Sequence, residues 1–254
     1  MITLVIRNNT KSTQKLSKVI RILAIVLAAA CCGSAWCADK IKVEKPDFEK
    51  IKAATTNEDS KYYYPKLLKA FMSNDTIMNN EDFKYFYYGA LFQEDYDPYR
   101  SQVDEEELKR LEPLYNKAQH TRAERDDILK YAQRALADNP LDIIQLKNLI
   151  FVYEQNKKVN LAKIWKNKLN HILRVIASSG TGTEADNAWT VVYPRQEFDF
   201  LNLSGLTVLS REFAPPYYEK VSVNPKREKD PKEYYFNLQP VLEQYYLKHP
   251  SEAE

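Results

Sequence analysis

From Lys61 onward the large apolar residues recur at spacings of three and four, the period of a helix with one buried face. In YYYPKLLKAFM this places Tyr64, Leu67, Leu68 and Phe71 on one side. SNDTIMNN then interrupts the pattern with turn-favouring residues, and Asn80, followed by Glu81 and Asp82, suits the start of the next helix. That helix opens the densest aromatic stretch of the chain, FKYFYYGALFQEDYDPY, residues 83–99. At 100° per residue, Phe83, Phe86, Tyr87, Ala90 and Leu91 gather on one side while Tyr85, Tyr88 and Phe92 form a second stripe opposite. A helix that is apolar on two faces normally lies between two layers of a core. The functional reading leaves the second stripe open as a groove for a peptide or sugar ring, and burial is the commoner fate of such stripes.

Helical patterns continue over 105–118 and 121–138. In the stretch 131–169, Pro140 stops one helix, then Leu146, Leu149, Ile150 and Tyr153 share a face of the next. After NKKV, Leu161, Ala162, Trp165 and Leu169 face back. SSGTGTEADN, 178–187, holds two glycines and no large apolar residue, and reads as a linker. Beyond it the period changes to two. AWTVVY (188–193), YYEKVSV (217–223) and EYYFNL (233–238) read as strands, and NPKREKDPK between the last two as a turn. FDFLNLSGL (198–206) suits either a strand or a short helix, and PVLEQYYLKH (240–249) a closing helix with Pro240 in its first turn. The expected fold is α+β and mainly α: a helical-repeat-like body over 61–177, the linker 178–187, and over 188–254 a small antiparallel sheet with a terminal helix packed on the body.

The N-terminus alters what composition means. Residues 1–21 carry Arg7, Lys11, Lys15, Lys18 and Arg21 and no acid, followed by the apolar run ILAIVLAAACC and the small-residue stretch GSAWCAD. That order describes a secretory signal peptide, expected over 1–37, whose apolar run is short of the roughly 20 residues a membrane span needs. Export to the periplasm or beyond follows as the expectation. The alternative is lipoprotein processing at Cys31 and a lipid anchor at the outer membrane. The full chain has 37 basic and 35 acidic residues; without the five basic residues of 1–37 the balance is 32 against 35. Its slight basicity therefore belongs to the export signal, and no case for nucleic-acid binding remains. All three cysteines, Cys31, Cys32 and Cys37, lie in the same segment, so the processed chain offers no thiol nucleophile or thiolate metal site. Residues 38–60 are charged and poor in large apolar groups, and read as a mobile lead-in.

Two resemblances follow from these motifs. Ala135, Pro140, Tyr153 and Ala162 sit at the spacing of the small, turn and packing positions of tetratricopeptide repeats, over about one and a half units. More broadly, YYYPKLL, YFYYGALFQEDYDPY, EFDFLNLSGL and YYFNL with PVLE resemble a family of secreted Gram-negative gut bacterial proteins of unknown function. Its central motif, Tyr-Tyr-Gly…Phe-Gln…Tyr…Pro-Tyr, is matched here by Tyr87, Tyr88, Gly89, Phe92, Gln93, Tyr96, Pro98 and Tyr99. The chain departs from it near the sheet, where EFAPP (212–216) stands in place of a polar turn. The resemblance implies fold and export and carries no activity.

Candidate chemistry is sparse. Glu94, Asp95 and Asp97 are close in sequence but lack the alternating acids and central glycine of a calcium loop. His120 and Glu124 share a helix face, which is too few ligands for zinc, and His171 and His249 belong to no ligand motif. GTG at 180–182 has no following lysine, Ser204 lies in no nucleophile elbow, and KREKDPK mixes both charges. Asp75-Thr76-Ile77 resembles a short bacterial O-glycosylation acceptor, which makes Thr76 a candidate for modification. No cofactor is implied. The favoured reading is a non-catalytic envelope module binding a protein, peptide or glycan through a helical aromatic surface. Its expected site is a groove beside Gly89 walled by Tyr85, Tyr88, Gln93, Tyr96 and Tyr99. The rival is a hydrolase of glycan or peptide using carboxylates such as Glu94 and Asp97 as acid and base.

Overall fold

The computed structural model describes residues 42–74, 76–115 and 117–252. The chain divides into two units, 1–41 and 42–254, and every described residue belongs to the second. The expected signal segment and Cys31 lie outside the described residues.

The helices run in chain order as α1 (Phe48–Thr56), α2 (Tyr64–Met72), α3 (Asn80–Gly89), α4 (Glu105–Tyr115), α5 (Arg122–Asp138), α6 (Ile143–Gln155) and α7 (Val159–Ser178). After β1 (Trp189–Thr190) come α8 (Gln196–Leu203), β2 (Thr207–Ala214), β3 (Tyr218–Asn224), β4 (Glu233–Asn237) and α9 (Gln239–Lys248). The fold is α+β and mainly α, as the hydrophobic pattern predicts.

Helix α3 is the centre of the body. Asn79 caps it by accepting from the Glu81 and Asp82 amides, and Asp82 returns a bond to the Asn79 amide, a complete capping box. Both of its aromatic stripes are buried. Phe86 stacks on Phe71 and Tyr64 of α2 at centroid distances of 4.6 and 5.5 Å. Phe83 lies on the His171 ring of α7 at 4.4 Å. On the opposite stripe Tyr85 is covered by Tyr62 at 3.8 Å, and Tyr88 meets the edge of Phe48 of α1 at 5.7 Å. Helices α5, α6 and α7 are joined by short turns at 139–142 and 156–158, and pack in sequence with Ala135, Tyr153 and Ala162 all buried. A satellite core of Leu111, Ile128, Tyr131, Ala135 and Val152 attaches α4 to this layer.

Three expectations about boundaries are corrected. The lead-in 38–60 contains α1, which starts at an Asp47 cap accepting from Lys50 N and buries Ile51 and Thr55. Ahead of it, the Glu44 amide donates to Ser178 O at 2.7 Å and the Glu44 carboxylate pairs with Lys84. The 178–187 segment is not a free linker. The amides of Thr181 and Gly182 donate to Asn187 O, Gly182 O accepts from Tyr235 N, and Trp189 Nε1 donates to Gly180 O at 3.0 Å. Gly182 has φ +69 and lies under the Trp189 ring, where a Cβ would stand 2.5 Å from a ring carbon. The sheet is mixed, with strand order β1-β4-β3-β2; β1 pairs parallel to β4, and the other pairs are antiparallel.

Only Trp189 and Thr190 of AWTVVY join that sheet. Val191 and Val192 are both fully buried, and side chains occupy their neighbourhood's backbone groups: Val192 O accepts from Tyr96 OH, and Val192 N faces Tyr87 OH and Gln196 Oε1. With those groups taken, the ladder cannot continue. FDFLNLSGL resolves as helix α8, closed by Gly205 at φ +76 with Leu206 N donating to Leu201 O and Gly205 N to Asn202 O, a Schellman ending. EFAPP forms the end of β2 and the turn into β3.

Candidate functional site

Helix α7 reads VNLAKIWKNKLNHILRVIAS, with no aspartate or glutamate along its length. Its inner face buries Ala162, Trp165, Leu169, Ile172, Leu173 and Ile176. Asn160, Lys163, Ile164, Asn167 and Asn170 repeat at helical spacing on the outer face. Together with Lys166, and with Thr76 on the facing loop, they line an open groove of about 660 Å³. Ile164 is its half-buried apolar floor, and the asparagines and lysines are exposed.

The facing wall is held in place by α7 itself. Lys168 is buried and points back under the rim, donating to Phe71 O at 2.5 Å and to Ser73 O, the last carbonyls of α2. A lysine at a helix C-terminus satisfies orphan carbonyls and opposes the negative end of the dipole. Its ammonium also lies over the Trp165 ring at 4.4 Å, and Trp165 Nε1 donates to Asn74 Oδ1 at 3.2 Å. The wall at Ser73 and Asn74 is thus fastened by two α7 side chains while the next turn of the helix faces the groove. Replacing Lys168 by Met keeps the apolar stem and removes the donors. Unfolding free energy, read from urea titrations, should fall by about 2 kcal/mol, the usual cost of losing charged hydrogen bonds to buried acceptors.

The aromatic groove expected beside Gly89 is filled. Tyr85 is 4% exposed, Tyr88 2% and Tyr96 3%. Tyr88 OH reaches Val175 O at 3.5 Å, and Tyr96 OH donates to Val192 O at 2.5 Å. Gly89 is buried against Thr55 of α1, and Gln93 is half-buried with Nε2 donating to Gly89 O at 2.9 Å. Tyr99 alone of this set is open, at 54%, with its ring edge-on to Tyr245 at 5.0 Å. The physical reason is the cover over the second stripe: α1, in the segment expected to be mobile, lies on Tyr88 and Gly89, and Tyr62 lies on Tyr85. Thr76 is exposed at the lip of the α7 groove.

Of the carboxylates expected to act as acid and base, Glu94 is exposed, and Asp97 caps its own loop by accepting from Tyr99 N. Glu124 is the capping-box partner of Thr121 and an ion-pair partner of Lys117, and Lys117 first, then the Thr121 amide, lower its pKa to about 2. Among the described residues no three His, Cys, Asp or Glu side chains come together to hold a metal ion.

Sequence reasoning missed a different group of acids, on α8 and β3. Glu197 is 0% exposed, and neither of its carboxyl oxygens has a hydrogen-bond partner. Glu219, 8% exposed, takes the inward place beside Val221 and Val223 in an otherwise alternating strand, and pairs with Arg211 of β2 at 3.2 Å. Asp199 is pushed up to about 7, chiefly by burial, and its Oδ2 is unpartnered. The legible signal is the Glu at an inward position of YEKVSV.

Residues 49–247 match a family model described as Domain of unknown function (DUF4919). The chain belongs to the DUF4919 family. No curated protein and no solved structure matches it. The DUF4919 match begins in the first turn of α1 and ends in α9, so the α7 groove, its wall and the buried acids all lie within the family domain.

Proposed function

We propose that the protein is an exported cell-envelope module that binds an anionic glycan, without catalysis, in the groove along α7. The observation that carries this reading is the groove's lining: Asn160, Asn167 and Asn170 beside Lys163 and Lys166, on a helix without an acid. Each asparagine amide offers two donors and an acceptor, the complement of neighbouring sugar hydroxyls. The lysines supply positive charge for a carboxylate or sulfate, and Ile164 an apolar strip for a ring face. The signal-like N-terminus supports the location, and among the described residues no helix is long and apolar enough to cross a membrane. The hydrolase alternative needs converging carboxylates, and among the described residues lining the groove there is none.

The test is titration calorimetry of the full chain with polygalacturonate and with sulfated oligosaccharides, and dextran as the neutral control. Both anionic probes should bind and dextran should not. Lys163→Glu with Lys166→Glu should weaken binding by about tenfold or more, and raising salt should weaken the wild type. Equal binding of dextran, or an unchanged affinity in the double variant, would refute the reading.

A further inference from the structure

The sheet and α8 enclose more acid than they can neutralise. Arg211 is the one cation facing Glu197 and Glu219 among the described residues, and it is engaged with Glu219 at 3.2 Å while its guanidinium lies over the Phe198 ring at 5.4 Å. Tyr99 is the other titratable group in reach. On the far side of α8, Asp199 faces Arg195, Asp142 and Lys147. Glu197 is left with no exposure and no donor, and the group within its hydrogen-bonding reach is the Glu219 carboxyl, which bonds it only when one of the two is protonated. An ionised carboxylate in that position loses its hydration and gains only the pull of an Arg211 already engaged with Glu219, whereas the protonated form carries no net charge to desolvate.

We infer that Glu197 is protonated whenever α8 lies on the sheet, so that Glu197, Glu219 and Arg211 form a latch closed by acid and released by alkali. The reaction is a simple loss: the Glu197 O–H bond breaks, the proton goes to water, and the resulting carboxylate is tolerated only once α8 has lifted into solvent. Burial first, and the Glu219 charge second, raise the folded-state pKa well above the usual carboxylate range, while Arg211 opposes them. A group raised in the folded state stabilises it fully at pH values below its ordinary pKa. That contribution is lost as pH climbs through the raised value. Asp199 and Asp142 are raised as well, so they share the sign and have to be separated from Glu197 by experiment.

Hydrogen exchange of the full chain, corrected for the intrinsic base dependence, reads the latch directly. Between about pH 5 and about pH 9 the opening of 196–203 should rise in the wild type, approaching tenfold per pH unit above the ordinary glutamate pKa and levelling off only above the raised folded-state value. Asp199 contributes up to about pH 7, so Glu197→Gln should lose the rise above that pH, and Asp199→Asn should keep it. A second reading uses the wild type near neutral pH, where infrared spectroscopy should show a buried protonated carboxyl that Glu197→Gln removes. The idea fails if the rise above about pH 7 survives in Glu197→Gln or disappears in Asp199→Asn. It fails equally if the infrared signal is absent from the wild type or unchanged in Glu197→Gln.

Discussion

Replacing Gly89 by valine is expected to lower the unfolding free energy by about 3 kcal/mol or more. Gly89 ends α3 where α1 crosses it, and a Cβ built there would stand 2.6 Å from Thr55 Cγ2, 3.1 Å from Thr55 Cβ and 3.3 Å from Thr55 Oγ1. Thr55 cannot turn away freely. It is fully buried, and its hydroxyl donates to Ile51 O at 2.8 Å. Overpacking of this kind usually costs about 1–3 kcal/mol for a small insertion, and valine adds two further methyls to a contact already too short for one carbon. Gly89→Ala should cost about 1–3 kcal/mol, against the gain of about 1 kcal/mol that alanine brings to a helix. Thr55→Ser removes the nearest methyl and keeps the hydroxyl bond, so the pair Gly89→Ala with Thr55→Ser should recover part of that loss, a coupling of about 1 kcal/mol in a double-mutant cycle. Urea midpoints of the four proteins decide it. If Gly89→Ala proves neutral or stabilising, α1 does not press on α3 as described.

That contact also explains how much could be read from the chain. The two-sided aromatic pattern of α3 states correctly that the helix needs cover on both faces, and the covering residues of α2 and α7 are visible as their own three-and-four periodicity. The cover supplied by α1 is not, because FEKIKAATT buries little beyond Ile51 and Thr55 and otherwise reads as charged surface. Its hydrophobic periodicity is too weak to compete with a reading as a mobile segment, although Asp47 followed by Phe48 and Ile51 is a legible helix start. Without α1 and Tyr62 the Tyr85 and Tyr88 stripe looks open; with them the stripe is core. The sheet failed differently. β1 is cut short because tertiary hydrogen bonds from Tyr96, Tyr87 and Gln196 take the backbone that a strand would use, and those partners lie about a hundred residues upstream or beyond the strand's own end. Local period cannot report a competitor of that kind. The α7 groove lay in plain sight as an acid-free run, but its meaning depends on Asn74 and Thr76, which only folding brings beside it.

The same long-range bonds set the second large expected effect. Gln196→Ala should cost about 4 kcal/mol of unfolding free energy. Gln196 is 1% exposed and opens α8 at the junction of three segments. Its Oε1 accepts from Tyr87 OH at 2.6 Å and faces the amides of Val192 and Tyr193 at 3.4 and 3.3 Å; its Nε2 donates to Leu141 O at 3.0 Å. Truncation removes the partner of the fully buried Tyr87 hydroxyl and of a buried carbonyl at the start of α6, each worth about 1–3 kcal/mol when left unmade. It also leaves a void the surrounding layers cannot close without moving α3 against α8. Tyr87→Phe removes one of those groups and keeps the ring, so it should cost only about 1–2 kcal/mol. Combined with Gln196→Ala it should cost less than the sum, because the hydroxyl stranded by the first change is absent in the second. Glu197 adds a condition to the measurement. Loosening α8 at Gln196 admits water one residue away and relieves the burial that raises Glu197, so alkali destabilises the wild type more than the variant and the loss should shrink as pH rises. Strict additivity of the two variants, or a cost below about 1 kcal/mol for Gln196→Ala, would mean that these segments are joined by packing alone.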